Sequence, residues 1–305
     1  MVSVKPMKKN VGGANDGVRL IGALFMLPAA IMILFCIIIP LVWNLALSFM
    51  EWNGNSAARI AGVDNYLRII ADRKSYTSIS NSLFVGIVST ITSMGLGIFL
   101  ALCVYRLSNR ESTFCRFVYF CPSMLPTTVI GLLFVFVLAP DEGIVNFVLR
   151  SIGLSSLERA WLANPKTVLW TISVVQGWKL SGTVLMLFYT GLIRIPPSLF
   201  EAGKLEGITY VQEIKTIILP LLRSTVALSL SMTLLSAFRT YDIVWSMTKG
   251  GPGDLSKTVP IRIIETGFIF GQFGYAAALG IVLTVLVGVC IVAGRMSLRG
   301  EAYEY

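Results

Sequence analysis

Six stretches of this 305-residue chain stay apolar for about twenty residues or more: Leu20–Phe49, Ser82–Tyr105, Phe117–Ala139, Thr167–Ile193, Ile217–Phe238 and Phe273–Gly294. A helix of that length crosses a ~30 Å hydrocarbon core. Few soluble folds can absorb so many apolar runs. Hydrophobic residues make up 55% of the chain and charged residues only 13%, against about 45–50% and about 25% in soluble domains. This excludes an ordinary soluble globule and a disordered chain. The expected fold is all-α: a polytopic membrane protein with six transmembrane helices.

The net charge is +9, but the basic residues form no single stripe, which excludes a nucleic-acid-binding domain. The chain has no histidine. That removes Ser-His-Asp and Cys-His catalysis and the commonest metal ligand. Cys36, Cys103, Cys115, Cys121 and Cys290 lie in or beside apolar runs without C-x-x-C spacing. They read as small hydrophobes, with no metal set. No G-x-x-x-x-G-K-[ST] phosphate loop occurs. Lys179-Leu-Ser-Gly182 falls inside a span and is no substitute for one. No cofactor is expected on this chain.

Six spans put both termini on one side. Slightly more Lys and Arg fall on that side than on the other, and the tail holding Lys5, Lys8 and Lys9 adds to it. By the positive-inside rule both termini are cytoplasmic. The expected division is a tail over 1–19, one transmembrane domain over 20–294, and a tail over 295–305. The first apolar run is too long for a signal peptide and is read as a retained span.

Between the fourth and fifth spans, at about 196–216, lies a polar loop with its own pattern. Pro196 and Pro197 end the preceding span and suit a helix start. Ser198 and Glu201 have capping-box spacing. A helix over Leu199–Glu206 is expected, with Leu199, Phe200 and Leu205 as its apolar face. Gly207 ends it in the left-handed conformation, and a second helical segment starts at Tyr210. On spacing alone this is a surface helix–turn–helix, equally compatible with resting on lipid.

Glu201-Ala202-Gly203-x-x-Glu206-Gly207, followed by Ile217-Ile-Leu-Pro220, resembles the EAA loop of binding-protein-dependent ABC importer permeases. It departs from that pattern at Gly203, Glu206 and Ile208, where the family has Ala, Asp and Ala. Trp52-Asn-Gly54, Gly62-Val-Asp-Asn-Tyr66, Trp161-Leu-Ala-Asn-Pro165, Tyr241 to Gly253 and Phe273-Gly-Tyr-Ala-Ala-Ala-Leu279 resemble the maltose-type, carbohydrate-uptake subclass. The resemblance covers nearly the whole chain, in order.

The resemblance implies a permease subunit in a prokaryotic cell membrane. The loop, with Glu201, Ala202, Gly203, Glu206 and Gly207, would couple it to an ATPase. Its partners would be a second permease, two ATP-binding subunits and an extracytoplasmic solute-binding protein. ATP and magnesium would sit on the ATPase, and the cargo would be a sugar or oligosaccharide. The Gly250-Gly251-Pro252-Gly253 turn, which cannot continue a helix, would face the binding protein.

Three spans carry small or polar residues on one face. Ser82, Gly86, Ser89, Ser93 and Gly97 suit close helix packing. Ser173, Gln176, Lys179, Thr183, Met186 and Thr190 suit a substrate path, because Gln and Lys are too large for a tight seam. Thr225, Ser229, Thr233, Ser236 and Thr240 suit either. Trp178, in mid-span, is a candidate platform for a sugar face, with Trp170 and Tyr189 nearer the span ends. Lys179 is the deep intramembrane charge, for which Glu265 or a carbonyl is a candidate partner. Other readings are the same machinery importing a glycerophosphate-like polyol, a channel or secondary carrier, and a membrane-embedded enzyme. Missing histidine and scarce intramembrane carboxylates weigh against the last.

Overall fold

The computed structural model describes residues 12–298. Residues 1–11 and 299–305, most of the two expected tails, lie outside them. Residues 12–19 belong to the first helix rather than to a tail.

The chain is almost wholly helical. In order, the helices are α1 (Gly12–Ile33), α2 (Ile39–Ser48), α3 (Asp64–Ala71), α4 (Arg73–Tyr105), α5 (Asn109–Met124), α6 (Thr127–Val137), α7 (Ile144–Ser151), α8 (Val168–Leu192), α9 (Pro197–Leu205), α10 (Tyr210–Glu213), α11 (Leu219–Leu221), α12 (Arg223–Phe238), α13 (Asp242–Thr248), α14 (Val259–Ile264) and α15 (Phe273–Ser297). A small antiparallel hairpin, β1 (Met50–Glu51) and β2 (Arg59–Ile60), departs from the all-α expectation. It frames the Trp52-Asn-Gly54 turn.

Three helices, Leu24–Ser48, Arg73–Tyr105 and Phe273–Ser297, are individually long and apolar enough to span a membrane. Three more candidates are bent pairs, so the expected third and fifth spans are not single straight helices. The third breaks by 98° between α5 and α6. Leu125, before Pro126, is held extended at ψ 146°, because a proline ring disfavours the helical region for its predecessor. The fifth breaks by 74° at Leu222, two residues after Pro220. α8 and α9 meet at 76°, at the prolines expected to end the fourth span.

Wide π turns occupy Leu34–Ile38 and Ile214–Ile218. Each ends two residues before a proline, Pro40 and Pro220. A proline lacks the N–H for the regular i→i−4 bond and clashes with the carbonyl it would reach. Widening the preceding turn removes that conflict.

α4 and α8 form the central seam. They run parallel: Ser89 donates to the Ser173 carbonyl, and a Cβ on Gly97 would meet Val184 Cβ at 2.6 Å and the Ser181 carbonyl at 2.7 Å. Only glycine permits that approach. Ser82, Ser89 and Ser93 are buried, so the second-span stripe is packing surface.

Neighbouring passes alternate in direction. Ser112 of α5 bonds Tyr189 near the end of α8, while Ser123 bonds the Lys179 carbonyl earlier in it. α12 begins beside Gly191 and ends with Phe238 against Gly86. α15 begins against Met50 and ends with Arg295 bonded to Ser231 of α12. α1 shows large hydrophobics on every side, including Leu24, Phe25, Met26 and Met32. Such a helix needs an apolar surrounding that the chain itself does not supply.

Three asparagines hold the connections. Asn65 donates to the carbonyls of Ser48 and Met50. Asn81 donates to those of Leu255 and Lys257. Asn146 donates to those of Pro140 and Arg159 while accepting from Trp161. Each binds two main-chain carbonyls that lie at element ends or in loops.

Candidate functional site

α9 starts at Pro197 with Pro196 as its N-cap and no side-chain capping bond. Ser198 therefore lies inside the first turn and makes no capping box with Glu201. Proline at the first helical position removes one unpaired N–H, and the Leu199 N–H bonds the Pro196 carbonyl at 3.1 Å.

The far end of α9 closes as expected. Gly207 sits at φ +71°. The N–H of Gly207 bonds the Lys204 carbonyl and that of Ile208 bonds the Gly203 carbonyl, both at 3.1 Å. This pair of bonds is a Schellman closure, which requires the left-handed residue that glycine tolerates. Thr209 then caps α10, with Gln212 bonding back to its N–H at 2.7 Å. That capping box was legible in the sequence as Thr-x-x-Gln.

Leu199 and Phe200 pack into a core of Ala101, Leu185, Phe188, Leu192, Ile195, Ile218 and Leu222. Gly203 is buried beneath Ile208. Leu205, expected on the same face, is instead 90% exposed. It shares an open face with Glu201, Ala202 and Glu206. At a helical pitch of ~3.6 residues, Glu201, Ala202 and Leu205 fall together, on the side away from Phe200 and buried Gly203.

Aromatic contacts tie the loop to the end of α4. The Tyr105 and Phe200 rings lie 6.1 Å apart. The Arg106 guanidinium stands 3.4 Å over the Tyr210 ring. α9 and α10 are thus seated on the C-terminal end of a 33-residue helix, about 50 Å long at ~1.5 Å per residue.

The Gly250–Gly253 turn lies at the other end of α4. Lys249, Gly250 and Gly253 have positive φ values, and Ser256 bonds the carbonyl of Gly251. A chain of alternating charges anchors this end. Lys74 lies 3.6 Å from Asp254, Asp254 2.8 Å from Lys257, and Lys257 2.7 Å from Glu265. Arg262 then bridges Glu265 at 2.9 Å and Asp72 at 3.1 Å. Burial pushes the Asp72 carboxyl up, but bonds from Ser75, the Lys74 N–H and Arg262 outweigh it and hold it below the usual range. The Lys257 bond similarly lowers Asp254. This network escaped the sequence reading, because its members are divided between the start of α4 and the segment around α14, far apart in sequence.

The residues expected on the substrate path do not share one open face. Ser173, Ser229 and Thr233 are enclosed. Ser173 donates to the Leu169 carbonyl and Thr233 to that of Ser229, the back-bonding that lets small hydroxyls pack in seams. Gln176 is also buried, yet its Oε1 has no partner, and neither has the Ser229 hydroxyl. Trp178, Lys179, Thr183 and Ser236 retain some exposure. Trp178 packs edge-on to Phe134 at 5.5 Å.

Glu265 is committed to Lys257 and Arg262 and is not the partner of Lys179. No ion pair to Lys179 occurs among the described residues. Between the ends of α8 and α12 a cavity of about 400 Å³ is lined by residues including Thr190, Arg194, Ser224 and Thr225. The fourth- and fifth-span stripes therefore converge beside α9. Among the described residues no cluster of His, Cys, Asp and Glu suits a metal ion.

The family of binding-protein-dependent transport system inner membrane components matches residues 93–296. The chain is 31% identical over 270 residues to the probable ABC transporter permease protein YurN of Bacillus subtilis (strain 168), covering 88% of this chain and 92% of that one. It is 28% identical over 279 residues to the sulfoquinovosyl glycerol transport system permease protein SmoG of Agrobacterium fabrum, covering 91% and 89%. To the trehalose/maltose transport system permease protein MalF of Thermococcus litoralis it is 27% identical over 269 residues, covering 88% and 90%. Its fold matches a chain of a bacterial ABC transporter involved in the import of the acidic polysaccharide alginate, with a TM-score of 0.79 at 20% identity, covering 94% and 97%. With the coupling-type loop, the helical passes and these likenesses together, the chain belongs to the inner membrane components of binding-protein-dependent transport systems: it is an ABC transporter permease, not an enzyme.

Proposed function

We propose that this permease crosses the membrane six times with both ends cytoplasmic, and that α9 carries the stroke of a separate ATPase into it. The observation that carries the reading is the open face of Glu201, Ala202, Leu205 and Glu206, on a helix whose other face is locked into the permease core. A leucine 90% exposed beside two carboxylates suits a protein groove better than water. The alternating directions of the passes support the six-span count.

The opposite end of α4, with the Gly250–Gly253 turn, then faces outward to the solute-binding protein. A second, unlike permease completes the pore, and two ATP-binding subunits drive it. The cargo is a sugar or oligosaccharide. Lys179, Trp178, Thr183 and Ser236 line its path in this reading, with Gln176 offering its unpartnered oxygen when the helices move apart. Ser173, Ser229 and Thr233 serve the path by packing rather than by contact. A glycerophosphate-like polyol is the second reading, since an unpaired mid-span lysine would also suit a phosphate.

The test is reconstitution of the assembled transporter in vesicles with its binding protein. Saccharide entry that requires both ATP and the loaded binding protein supports the reading. Entry without ATP contradicts it, and selective entry of a phosphorylated polyol favours the alternative.

A further inference from the structure

Two cavities adjoin at the hairpin end of the molecule, away from α9. One, of about 280 Å³, lies between the β1–β2 hairpin, α3 and the start of α15. The other, of about 500 Å³, lies between α3, α14 and the following turn. They share Arg68, Gln272 and Tyr275 in their walls, so they form one groove. Small-molecule sites run from about 300 to 1,000 Å³.

The groove has a mixed lining. Trp52 supplies an aromatic ring, and Asn53 and Gln272 supply amides. The oxygen of Asn53 is occupied by the N–H groups of Asn55 and Ser56, which leaves its NH₂ as donor. Amides that meet hydroxyls beside an aromatic face suit a sugar ring.

Charge adds a further requirement. Arg262 is committed to Asp72 and Glu265. Glu51 and Arg59 stand opposite each other in the hairpin register, which places a carboxylate near Arg59. Arg68, in the walls of both cavities, makes no ion pair among the described residues. Its guanidinium reaches only the Gln272 oxygen, at 3.4 Å, and lies 5.0 Å from the centre of the Tyr275 ring. Beside it, the buried Nε of Arg262 has no acceptor among the described residues. A planar guanidinium fork matches a carboxylate bidentately.

We propose that this groove is a saccharide subsite on the outer end of the permease, and that Arg68 there holds the carboxylate of an acidic sugar residue. The proposal rests on the carbohydrate-import reading and narrows its cargo. The sugar meets Arg68 after release from the binding protein and before the mid-span path.

The whole transporter complex, held in lipid nanodiscs without binding protein, is titrated with digalacturonate and, separately, with the neutral digalactose, and binding is read by calorimetry. Digalacturonate binds and digalactose binds at least about tenfold more weakly. Arg68→Gln lowers digalacturonate affinity about tenfold, the scale of one charge-assisted pair. Arg68→Lys restores part of it. Equal binding by wild type and Arg68→Gln overturns the subsite, as does equal affinity for the two disaccharides. Uptake of saccharide with no such binding overturns the subsite alone. ATP hydrolysis with no saccharide uptake at all overturns the import reading and the subsite with it.

Discussion

The side chain of Ile208 occupies the space that a methyl group on Gly203 would need. A Cβ built on Gly203 would lie 2.7 Å from Ile208 Cδ1 and 3.3 Å from Ile217 Cδ1. Two departures from the loop pattern, glycine for alanine and isoleucine for alanine, are therefore one exchange of volume. Gly203→Ala alone should crowd the loop, whereas Gly203→Ala with Ile208→Ala should relieve it. A double-mutant cycle on the thermal stability of the complex should show coupling of about 0.5–3 kcal/mol. Strict additivity would separate the two residues.

Leu205 is the exposed apolar residue of α9 and touches nothing in this chain's core. Leu205→Asp should leave membrane insertion intact and weaken ATPase retention at least about tenfold, as loss of a central anchor does. Glu201→Ala should reduce hydrolysis stimulated by the loaded binding protein. Copurification and hydrolysis assays check the two. Full retention with normal stimulation in both variants would remove this face from the coupling role.

The passes were legible because the apolar runs are long. The bends were less so, since Pro126 and Pro220 sit within long, mostly apolar stretches and composition does not report direction. For the loop, the glycine stop was readable because one residue type answers one backbone need. The placement of Leu205 was misread: an apolar residue was assumed to face the core, but α9 lies at the edge of that core and only Leu199 and Phe200 reach it. The polar stripes misled in the opposite way, as back-bonded Ser173 and Thr233 carry no signal in sequence that separates a seam from a path. The charge chain from Lys74 to Asp72 needed three-dimensional proximity to be seen at all.

Asp254 is held below the ordinary carboxylate range first by its bond to Lys257. A depressed carboxyl stabilises the fold above its unfolded value, and the contribution disappears as pH falls through the folded one. The turn over 249–258 should therefore be tight at pH 7 and loosen below about pH 4. Hydrogen exchange across that segment should rise on acidification in wild type. In Asp254→Asn it should already be raised at pH 7 and change less with acid. An unchanged wild-type profile would deny the ion pairs a role in holding the turn.

Lys179 lies in a span without an ion-pair partner among the described residues. A lysine at mid-bilayer costs about 2.5–3.5 kcal/mol on insertion scales, so its retention needs a role. Lys179→Met should lower saccharide uptake several-fold while the complex is recovered in normal yield. Normal uptake would exclude the lysine from the path. Loss of the complex would assign it to assembly instead.

The central claim is that this chain is one membrane half of an ATP-driven machine. Native mass spectrometry of the complex drawn from its own membranes through this chain tests that most directly. The account predicts one copy of this chain with one unlike permease and two ATP-binding subunits. A complex containing this chain alone, or with other membrane chains but no ATPase, would contradict it.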